Sequence, residues 1–431
     1  MNKIVSPSSL SGQLAVMPSK SASHRAVMMA ALARGETTLA PLQLSRDVVA
    51  TLSCAKALGL VGDVSTTAHD VPGFVRATLC GGQNLAFGPR TLDCGESGST
   101  LRFFIPLALD GGSPVTFIGH GRLMQRPLDV YEELFRPLGV RWTQQGDTLT
   151  VEGALKSGEY RIRGDVSSQF ITGLLLALPR LAGDSVIRIT TPLESRAYVE
   201  LTRRIQKTFG VLSHWEDEQT LLIPGGQKSV SPGLVAVESD WSHAAFYLAA
   251  GCLSASGPLT LNGLDTLSTQ GDRAMLDILR SMGAIVNLNR GAISVCSSRL
   301  HGAEVDASQI PDLVPILAVA MAAAEGESRI TGAARLRIKE SDRLSAMYAA
   351  LTACGADVTE LPDGLIIRGG RQLHSATIDG CNDHRIVMAM AVASAISSGP
   401  LTITDAQAVA KSAPAFWEEF AALGGHAADS L

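Results

Sequence analysis

The 431-residue sequence lacks the short motifs that mark several common protein classes. Its seven cysteines are scattered and form no CxxC pair, which suits buried thiols in a reducing compartment. Its nine histidines form no HxH or HExxH motif, so we expect no protein-held metal. The absence of GxxxxGK[ST] disfavours a phosphate-binding kinase of the P-loop type.

Long apolar runs and excess positive charge are also missing. No apolar run reaches the roughly 18 residues that span a bilayer, and the start "MNKIVSPSSLSGQ" has no apolar signal core. The net charge of −5 argues against nucleic acid as a partner. We therefore expect a cytoplasmic protein that binds neither membranes nor nucleic acids. An anionic ligand would have to be held by a local cluster of basic residues.

What the sequence does contain is a repeat. Six half-amphipathic segments, at 46–59, 126–139, 197–210, 270–283, 342–355 and 411–424, each end at a glycine. The separations of these glycines are 80, 71, 73, 72 and 69 residues. Each glycine follows an apolar residue or cysteine and suits the left-handed end of a helix. A short β-like run follows the first five glycines, whereas the last copy lacks a strand after Gly424.

A second set of six segments has the same period. They begin at residues 21, 98, 167, 240, 311 and 383, each with a polar head and an apolar body rich in small residues. Such helices have no polar face and should be buried. Each period then holds one buried helix, one amphipathic helix and several strands. Chance recurrence of helix-glycine-strand is the alternative to a true duplication.

The length predicts two domains. The stretch "GGQKSVSPG" (225–233) marks a boundary between the third and fourth copies, which gives three units to each domain. The N-terminal "KIVSP" would complete the last copy. We therefore predict a discontinuous domain, 1–19 plus 238–431, and a second domain, 20–237.

Polar and charged residues occur at the N-terminal ends, or heads, of the predicted buried helices. The heads contain Lys20, Ser21 and Arg25; Gly98, Ser99 and Arg102; Ser167, Ser168 and Gln169; Asp240 and Ser242; Asp312; and Asp383, His384 and Arg385. A helix N-terminus with Arg or Lys in the same turn is a ready anion site. Taken singly, Ser167, Asp240 and Asp312 are typical N-caps, and Lys20 or Arg25 is a solvated charge. Because burying an unpaired guanidinium is costly, the recurring cations favour anionic ligands.

One further charged stretch is "RLRIKESDRL" (335–344). A helix here would place Lys339 and Arg343 on one face with Glu340 and Asp342 beside them. The stretch is either the solvated start of a helix or, near an anion pocket, the site of a carboxylate that moves protons.

Nine motifs in chain order resemble the EPSP synthase family over nearly the whole sequence. They are "PSKSASHR" (18–25), "LDCGESGSTLR" (92–102), "QRPL" (125–128), "SSQF" (167–170), "LESRAY" (193–198), "IPDLVP" (310–315), "IKESDRL" (338–344), "NDHRIVMAMAVAS" (382–394) and Lys411. The resemblance implies an α/β (α+β) fold of two domains, each with three βαβαββ units and buried helices, an inside-out α/β barrel. It also implies an active site in the cleft between the domains, faced by helix N-termini.

The implied reaction moves the enolpyruvyl group of phosphoenolpyruvate to the 5-hydroxyl of shikimate 3-phosphate in aromatic amino acid biosynthesis. By the same resemblance, phosphoenolpyruvate would be held by Lys20, Gly98, Arg126, Gln169, Arg343, Arg385 and Lys411. Shikimate 3-phosphate would be held by Ser21, Arg25, Ser167, Ser168, Gln169, Ser195, Asp312 and Lys339. Asp312 would accept the hydroxyl proton, and Glu340, assisted by Lys20 or His384, would move the methylene proton. Asp383-His384-Arg385 would form the mouth of a buried helix aimed at the anionic substrate. We expect a monomer without cofactors.

Two departures from the family pattern affect single contacts. Arg335 stands where an asparagine is common, which puts one sugar contact in doubt, and Glu96 places a negative charge near a phosphate site. Gly98 remains, and with it room for a glyphosate-type inhibitor. A UDP-N-acetylglucosamine enolpyruvyltransferase is the nearest rival, but Ser21 follows Lys20 where that family has asparagine. A non-catalytic repeat scaffold is the alternative of another class.

Overall fold

The computed structural model describes residues 1–82, 88–109, 111–253, 257–289 and 291–430. The chain divides into two units. The discontinuous unit comprises Met1–Ser19 and Glu238–Leu431, and the continuous unit comprises Lys20–Val237. The ends of two segments expected to be buried helices, Asp110 and residues 254–256, lie outside the described residues.

Strands and helices alternate along both units. The α-helices are α1 (Lys20–Leu32), α2 (Arg46–Ala57), α3 (Gly98–Ala108), α4 (Asp129–Phe135), α5 (Ser168–Ala177), α6 (Arg196–Thr208), α7 (Trp241–Leu253), α8 (Ala274–Ser281), α9 (Val314–Ala323), α10 (Arg343–Ala353), α11 (His384–Ala393) and α12 (Phe416–Ala422). Short 3-10 helices are Leu123–Gln125, Arg136–Leu138, Leu178–Arg180, Gly271–Arg273, Pro311–Leu313, Ala334–Ile338, Ser394–Ile396 and Ala406–Lys411.

The strands group into small sheets. They are β1 (Lys3–Ser6), β2 (Gly12–Ala15), β3 (Gly35–Leu42), β4 (Val64–Ala68), β5 (Val75–Gly81), β6 (Arg90–Asp93), β7 (Val115–Ile118), β8 (Arg141–Gln145), β9 (Thr148–Glu152), β10 (Glu159–Ile162), β11 (Ser185–Ile189), β12 (His214–Trp215), β13 (Thr220–Ile223), β14 (Leu234–Val235), β15 (Leu259–Asn262), β16 (Ile285–Asn289), β17 (Ala292–Cys296), β18 (Glu304–Asp306), β19 (Glu327–Thr331), β20 (Asp357–Leu361), β21 (Gly364–Arg368), β22 (Ala376–Ile378), β23 (Leu401–Ile403) and β24 (His426–Asp429).

Six four-stranded sheets share one topology. The continuous unit has β14-β3-β5-β4, β6-β7-β9-β8 and β10-β11-β13-β12, and the discontinuous unit has β2-β15-β17-β16, β18-β19-β21-β20 and β22-β23-β1-β24. In every sheet the first pair is parallel and the other two pairs are antiparallel. Six copies of one α+β unit therefore build the chain, as the periodicity predicted.

Three sheets are completed by strands that lie far away in the sequence. β2 pairs with β15, with Gly12 opposite Leu259, and β14 pairs with β3, with Leu234 opposite Thr38. The segment 225–233 leads into β14, and Ser229 Oγ in it donates to the carbonyl of Leu32 at 2.8 Å. This segment therefore returns the chain to the first repeat of the continuous unit.

The N-terminal strand completes the last sheet, as predicted, because β1 pairs with both β23 and β24. The expectation that no strand follows Gly424 is wrong, since β24 begins at His426. β24 is a largely exposed edge strand, so its sequence carries little of the apolar alternation by which strands are recognised.

The closing glycines end the amphipathic segments in the predicted conformation. Their φ angles are +81° (Gly59), +78° (Gly139), +78° (Gly210), +100° (Gly283), +88° (Gly355) and +96° (Gly424). A residue with a Cβ would be strained at each of these positions. The last segment is helical only from Phe416, because Pro414 intervenes after the 3-10 helix that ends at Lys411.

The six apolar helices form the cores of the two units. Nearly all described residues of α1, α3, α5, α7, α9 and α11 are buried, and in the discontinuous unit α7, α9 and α11 pack on one another. None of the helices in the described ranges is long and apolar enough to cross a bilayer. The buried helices begin at the polar heads that the sequence marks as candidate anion sites.

Candidate functional site

The head of α1 holds two cations in different surroundings. Lys20 Nζ forms a 3.1 Å ion pair with Asp47 Oδ2, at the start of α2. Arg25 is only 2% exposed and is therefore not the solvated charge that its single position suggested. Ser21 lies in the first turn of α1, where its carbonyl accepts from Arg25 Nη1 at 2.8 Å.

Arg25 is surrounded by hydroxyl groups and aromatic rings. Its Nε donates to Thr202 Oγ1 at 2.7 Å and its Nη2 to Thr172 Oγ1 at 3.2 Å. Its guanidinium also lies over the rings of Phe103 and Tyr198. Burial lowers the pKa of Arg25 to about 10, opposed by Tyr198. Among the described residues no carboxylate pairs with this cation, so the site favours an anion.

The head of α3 brings two guanidinium groups against a glycine. A Cβ on Gly98 would lie 2.7 Å from Arg102 Nη1 and 2.8 Å from Arg126 Nη1. Arg102 and Arg126 are both buried. Ser97 caps the helix, accepting from Thr100 N at 3.2 Å. The bare backbone at Gly98 thus lets two positive charges approach the N-terminus of α3 closely.

Gln169 links the heads of α3 and α5. Its Oε1 accepts from Arg102 Nη1 at 2.9 Å, and its Nε2 donates to Ser99 Oγ at 2.9 Å. Ser167 is the N-cap of α5, accepting from Gln169 N at 3.3 Å, which confirms the ordinary explanation for that serine. Ser168 is the buried first residue of α5.

Ser195 precedes α6 in an uncommon backbone conformation. It is buried and has a φ of +54°, in the left-handed region that few residues other than glycine adopt. Strained positions of this kind cluster at functional sites. The continuous unit therefore places Lys20, Gly98, Gln169 and Ser195 at or before the first turns of four different helices.

In the discontinuous unit the central cation is Arg343. It is the first residue of α10 and only 1% exposed. Its Nε donates to Asp383 Oδ2 at 2.8 Å, its Nη1 to Asp312 Oδ1 at 2.9 Å and its Nη2 to Glu340 Oε2 at 2.8 Å. Burial lowers the pKa of Arg343, but the three carboxylates, led by Asp383, outweigh burial and raise it.

Asp312 is shared between two guanidinium groups. Besides Arg343, it receives Arg385 Nη2 on Oδ2 at 2.8 Å, and its carbonyl accepts from Arg385 Nη1 at 3.3 Å. Burial raises the pKa of Asp312, but the charges of Arg385, Arg343 and Lys339 outweigh burial and hold that pKa well below its usual range. Asp312 is therefore an ionised carboxylate, and its side chain binds cations.

Asp383 has a different role from the one expected of it. The sequence placed it in a mouth aimed at an anion, but its carboxylate is fully buried and points to Arg343 and to Ser341 Oγ, 3.0 Å away. It also caps α11 by accepting from Arg385 N at 2.9 Å. A carboxylate would repel an anionic ligand, whereas it suits a helix N-terminus and a buried guanidinium.

The remaining expected residues of this unit lie nearby in the fold. His384 is the buried first residue of α11, with Nδ1 3.8 Å from Asp383 Oδ1. Lys411 is buried, and its Nζ donates to the carbonyl of Asn382 at 2.6 Å. The Asp383-His384-Arg385 head thus lies beside Lys411 and the Asp312 cluster.

The expected helix over 335–344 is not continuous. A 3-10 helix covers Ala334–Ile338, Lys339 is extended, and α10 begins at Arg343 behind the N-cap Asp342, which accepts from Ser345 N at 3.1 Å. Lys339 and Arg343 therefore do not share a helical face. Asp342 is favoured as the N-cap because its carboxylate accepts from the backbone N–H of Ser345, so α10 begins only at Arg343.

The two departures from the family pattern have local partners. Arg335 is buried and donates from Nη2 to the carbonyl of Ser308 at 2.7 Å. The carboxylate of Glu96 lies against the backbone of Gly121, where a Cβ would approach its Oε2 to 2.6 Å.

Sequence reasoning missed several residues that support this chemistry. Asp47 pairs with Lys20, and Thr172 and Thr202 surround Arg25, but nothing in the local sequence links them to their partners. Arg102 could have been recognised from the sequence, because it is one of the basic residues at the helix heads. Within the described residues, no group of three or more His, Cys, Asp or Glu side chains could hold a metal ion.

Comparisons with known proteins identify the family of the chain. Residues 4–420 match the sequence profile described as EPSP synthase (3-phosphoshikimate 1-carboxyvinyltransferase). A 3-phosphoshikimate 1-carboxyvinyltransferase of Clostridium novyi is 45% identical over 423 residues, covering 97% of this chain and 96% of the relative. The Clostridium kluyveri enzyme of the same name is 43% identical, covering 98% and 97%. The solved EPSP synthase of Acinetobacter baumannii superposes with a TM-score of 0.79 at 27% identity, covering 100% of both chains.

Proposed function

The chain belongs to the EPSP synthase family, and we propose that it catalyses the reaction for which that family is named. The enolpyruvyl group of phosphoenolpyruvate is transferred to the 5-hydroxyl of shikimate 3-phosphate, and phosphate is released. The observation that carries the proposal is the cluster around Asp312, where two buried guanidinium groups, Arg343 and Arg385, hold one carboxylate. Such a cluster places cations that attract the anionic donor beside a carboxylate that acts as the base for the acceptor hydroxyl.

Both substrates carry phosphate and carboxylate groups, which explains cations at so many helix heads. We assign the donor to Lys20, Gly98, Arg126, Gln169, Arg343, Arg385 and Lys411. We assign shikimate 3-phosphate to Ser21, Arg25, Ser167, Ser168, Gln169, Ser195, Asp312 and Lys339. The resemblance further suggests that heads from the two units act on one pair of substrates. The buried, carboxylate-free surroundings of Arg25 support its assignment to a substrate anion.

The reaction has two halves. A proton is added to the methylene carbon of phosphoenolpyruvate while the 5-hydroxyl oxygen attacks the adjacent carbon and loses its own proton. Loss of phosphate, together with a proton from the new methyl group, then restores the double bond. We propose that Asp312 takes the hydroxyl proton and that Glu340, assisted by Lys20 or His384, carries the methylene proton. The side chains only relay protons between the substrates, so each returns to its starting state after a turnover.

Asp312 must lose part of its positive surroundings to act as a base. Arg385, Arg343 and Lys339 keep the pKa of Asp312 low in spite of burial, and a carboxylate so stabilised accepts a proton poorly. If the donor carboxylate binds to Arg385, that cation is shared with a second anion. The pKa of Asp312 then rises towards its ordinary value, so donor binding itself prepares the base.

The test is phosphate release measured with shikimate 3-phosphate and phosphoenolpyruvate together. We expect turnover with this pair, and none when UDP-N-acetylglucosamine replaces the acceptor. Release only with UDP-N-acetylglucosamine would favour the related enolpyruvyltransferase, and release with neither would favour the scaffold alternative. Asp63→Ala, which removes an exposed partner of Lys56, is a control that should leave the rate unchanged.

We also propose that the protein acts as a cytoplasmic monomer. Equilibrium sedimentation at micromolar concentration tests the monomer, and a mass near twice 45.2 kDa would contradict it.

A further inference from the structure

Asp272 is a buried carboxyl group of the discontinuous unit that has no role in the proposed reaction. It lies in the 3-10 helix Gly271–Arg273 and is only 2% exposed. Its Oδ2 accepts a hydrogen bond from Ser242 Oγ, in the first turn of α7. Its Oδ1 is buried and has no hydrogen-bond partner among the described residues. A charge on this carboxyl would therefore be only half satisfied.

The segment that carries Asp272 is fixed to the head of α7. Gln270 Oε1 accepts from Trp241 N at 3.2 Å, and Gln270 Nε2 donates to the carbonyl of Ser239 at 2.8 Å. These bonds hold the backbone beside Asp272 against the first turn of α7, where its carboxyl is buried. Its protonation therefore has to respond to the charges already present in the core.

The 3-10 helix that carries Asp272 packs on α7, and α7 packs on α11 and on the 3-10 helix Pro311–Leu313 that contains Asp312. Arg385, in the first turn of α11, pairs with Asp312 at 2.8 Å, and His243, next to Ser242 in α7, is a further titratable group there. Burial and the negative charge of Asp312 raise the pKa of Asp272 to about 7, Asp240 adds to this effect, and Arg385 with the Ser242 hydroxyl opposes it. Asp312 is shifted the other way by its cations. Two carboxyl groups whose surroundings drive their pKa values apart are the usual mark of divided roles at one site.

We propose that Asp272 is a positioning residue that acts through Arg385, its charge setting how firmly Arg385 holds the carboxylate of phosphoenolpyruvate. This inference rests on the proposed function, because it takes Arg385 as a group that binds the donor. While Asp272 carries a proton, it adds no negative charge near Arg385. Once Asp272 ionises, its negative charge repels the incoming carboxylate of the donor. Arg385 then stays paired with Asp312 rather than binding the donor.

The size of the effect follows from Coulomb's law. As a general scale, two like charges about 10 Å apart at an effective dielectric constant of about 20 weaken each other's binding by about tenfold. By linkage, bound donor should raise the pKa of Asp272 by the matching amount, about one unit for tenfold. Basicity of Asp312 should rise when Asp272 ionises, so the Michaelis constant and the turnover number respond differently.

The experiment compares wild type with Asp272→Asn, whose side chain has the same shape but never ionises. The KM for phosphoenolpyruvate is measured from pH 6 to pH 9 at saturating shikimate 3-phosphate. Dividing the wild-type KM by that of the variant at each pH cancels ionisation of the substrates. We expect a ratio near one at pH 6 that rises by about tenfold above pH 8. The control is Asp277→Asn, an exposed carboxylate on α8, for which the ratio should stay near one.

A ratio that does not change with pH overturns the inference, as does an equal loss of kcat and kcat/KM at every pH, which indicates a merely structural residue. If Asp272→Asn does not fold, Ser242→Ala takes its place. That variant removes the donor to the ionised carboxylate, so the midpoint of the KM rise should move to higher pH. An unchanged midpoint contradicts the inference.

A measurement without turnover separates this inference from the proposed function. Carbon-13 NMR of protein labelled in the aspartate carboxyl groups should show one signal that titrates near pH 7 and is missing in Asp272→Asn, or moves to higher pH in Ser242→Ala. Normal turnover without that signal refutes the inference alone. The signal without turnover refutes the proposed function, and then an unchanged titration on adding phosphoenolpyruvate refutes the inference as well.

Discussion

Replacing Asp383 tests whether a buried carboxylate holds the discontinuous unit together. Its side chain accepts from Arg343 Nε at 2.8 Å, from Ser341 Oγ at 3.0 Å and from Arg385 N at 2.9 Å. Removing one partner of a buried ion pair costs about 3–5 kcal/mol. Because Asp312 and Glu340 still face Arg343, we expect Asp383→Ala to lose about 3 kcal/mol, the lower end of that range.

Two further variants should lose less stability than Asp383→Ala. Asp383→Asn keeps one oxygen as an acceptor but lacks the charge, so we expect a loss of about 1–2 kcal/mol. Asp429→Ala in the same unit removes an exposed partner of Lys3, 3.0 Å away, and should cost at most about 1 kcal/mol. All three changes remove one negative charge. Burial therefore separates the Asp383 variants from Asp429→Ala, and the acceptor that asparagine keeps separates Asp383→Asn from Asp383→Ala.

The assay is urea unfolding followed by tryptophan fluorescence. Trp241 and Trp417 belong to the discontinuous unit, whereas Trp142 and Trp215 belong to the continuous unit. Changing the latter two to phenylalanine makes the signal specific for the unit that contains Asp383, which avoids treating two units as one transition. An Asp383→Ala loss below about 1 kcal/mol, or no larger than that of Asp429→Ala, would refute the reasoning.

Gly98→Ala should raise the KM for phosphoenolpyruvate about tenfold or more in initial-rate assays, since its Cβ would lie 2.8 Å from Arg126 Nη1; an unchanged KM contradicts the assignment. Asp312→Asn should lower kcat by at least about a hundredfold, and wild-type turnover would exclude Asp312 as the base. Burial lowers the pKa of His243, but Glu419 outweighs burial and raises it. The pair should therefore stabilise the protein below pH ~6.5, and this stabilisation should be lost as the pH rises through the raised pKa of His243. The free energy of unfolding of Glu419→Gln in urea should then differ most from that of wild type at low pH. A difference that does not change with pH refutes the stabilising role of the pair.

The repeat could be predicted because residues that are close together in the sequence determine it. The closing glycines require a left-handed backbone, and the apolar bodies of the buried helices have no polar face. Pairings between distant strands were harder to predict. That β1 completes the last sheet was predicted from a strand thought to be missing after Gly424, although β24 is present there and pairs with β1. Nothing in Gly12–Ala15 indicated that it would pair with Leu259–Asn262.

The candidate site divides in the same way. Cations at helix heads could be recognised from the chain, because their burial follows from the helices they begin. The partners of those cations could not, since Arg343 lies 40 residues from Asp383 and Arg25 lies 177 residues from Thr202. Which carboxylate neutralises which cation depends on packing distances that a linear sequence does not contain.

The buried cations differ in how far carboxylates of the protein already neutralise them. Arg343 already has three carboxylates, so the donor has to share this cation with them. Arg25, in contrast, donates to hydroxyls and a carbonyl, and its pKa falls on burial because no described carboxylate compensates it. Arg385 is intermediate, since it faces Asp312, which is also held by Arg343. A substrate anion therefore gains most at Arg25, shares Arg385 with one carboxylate, and gains least at Arg343, which also fixes Asp312 in place.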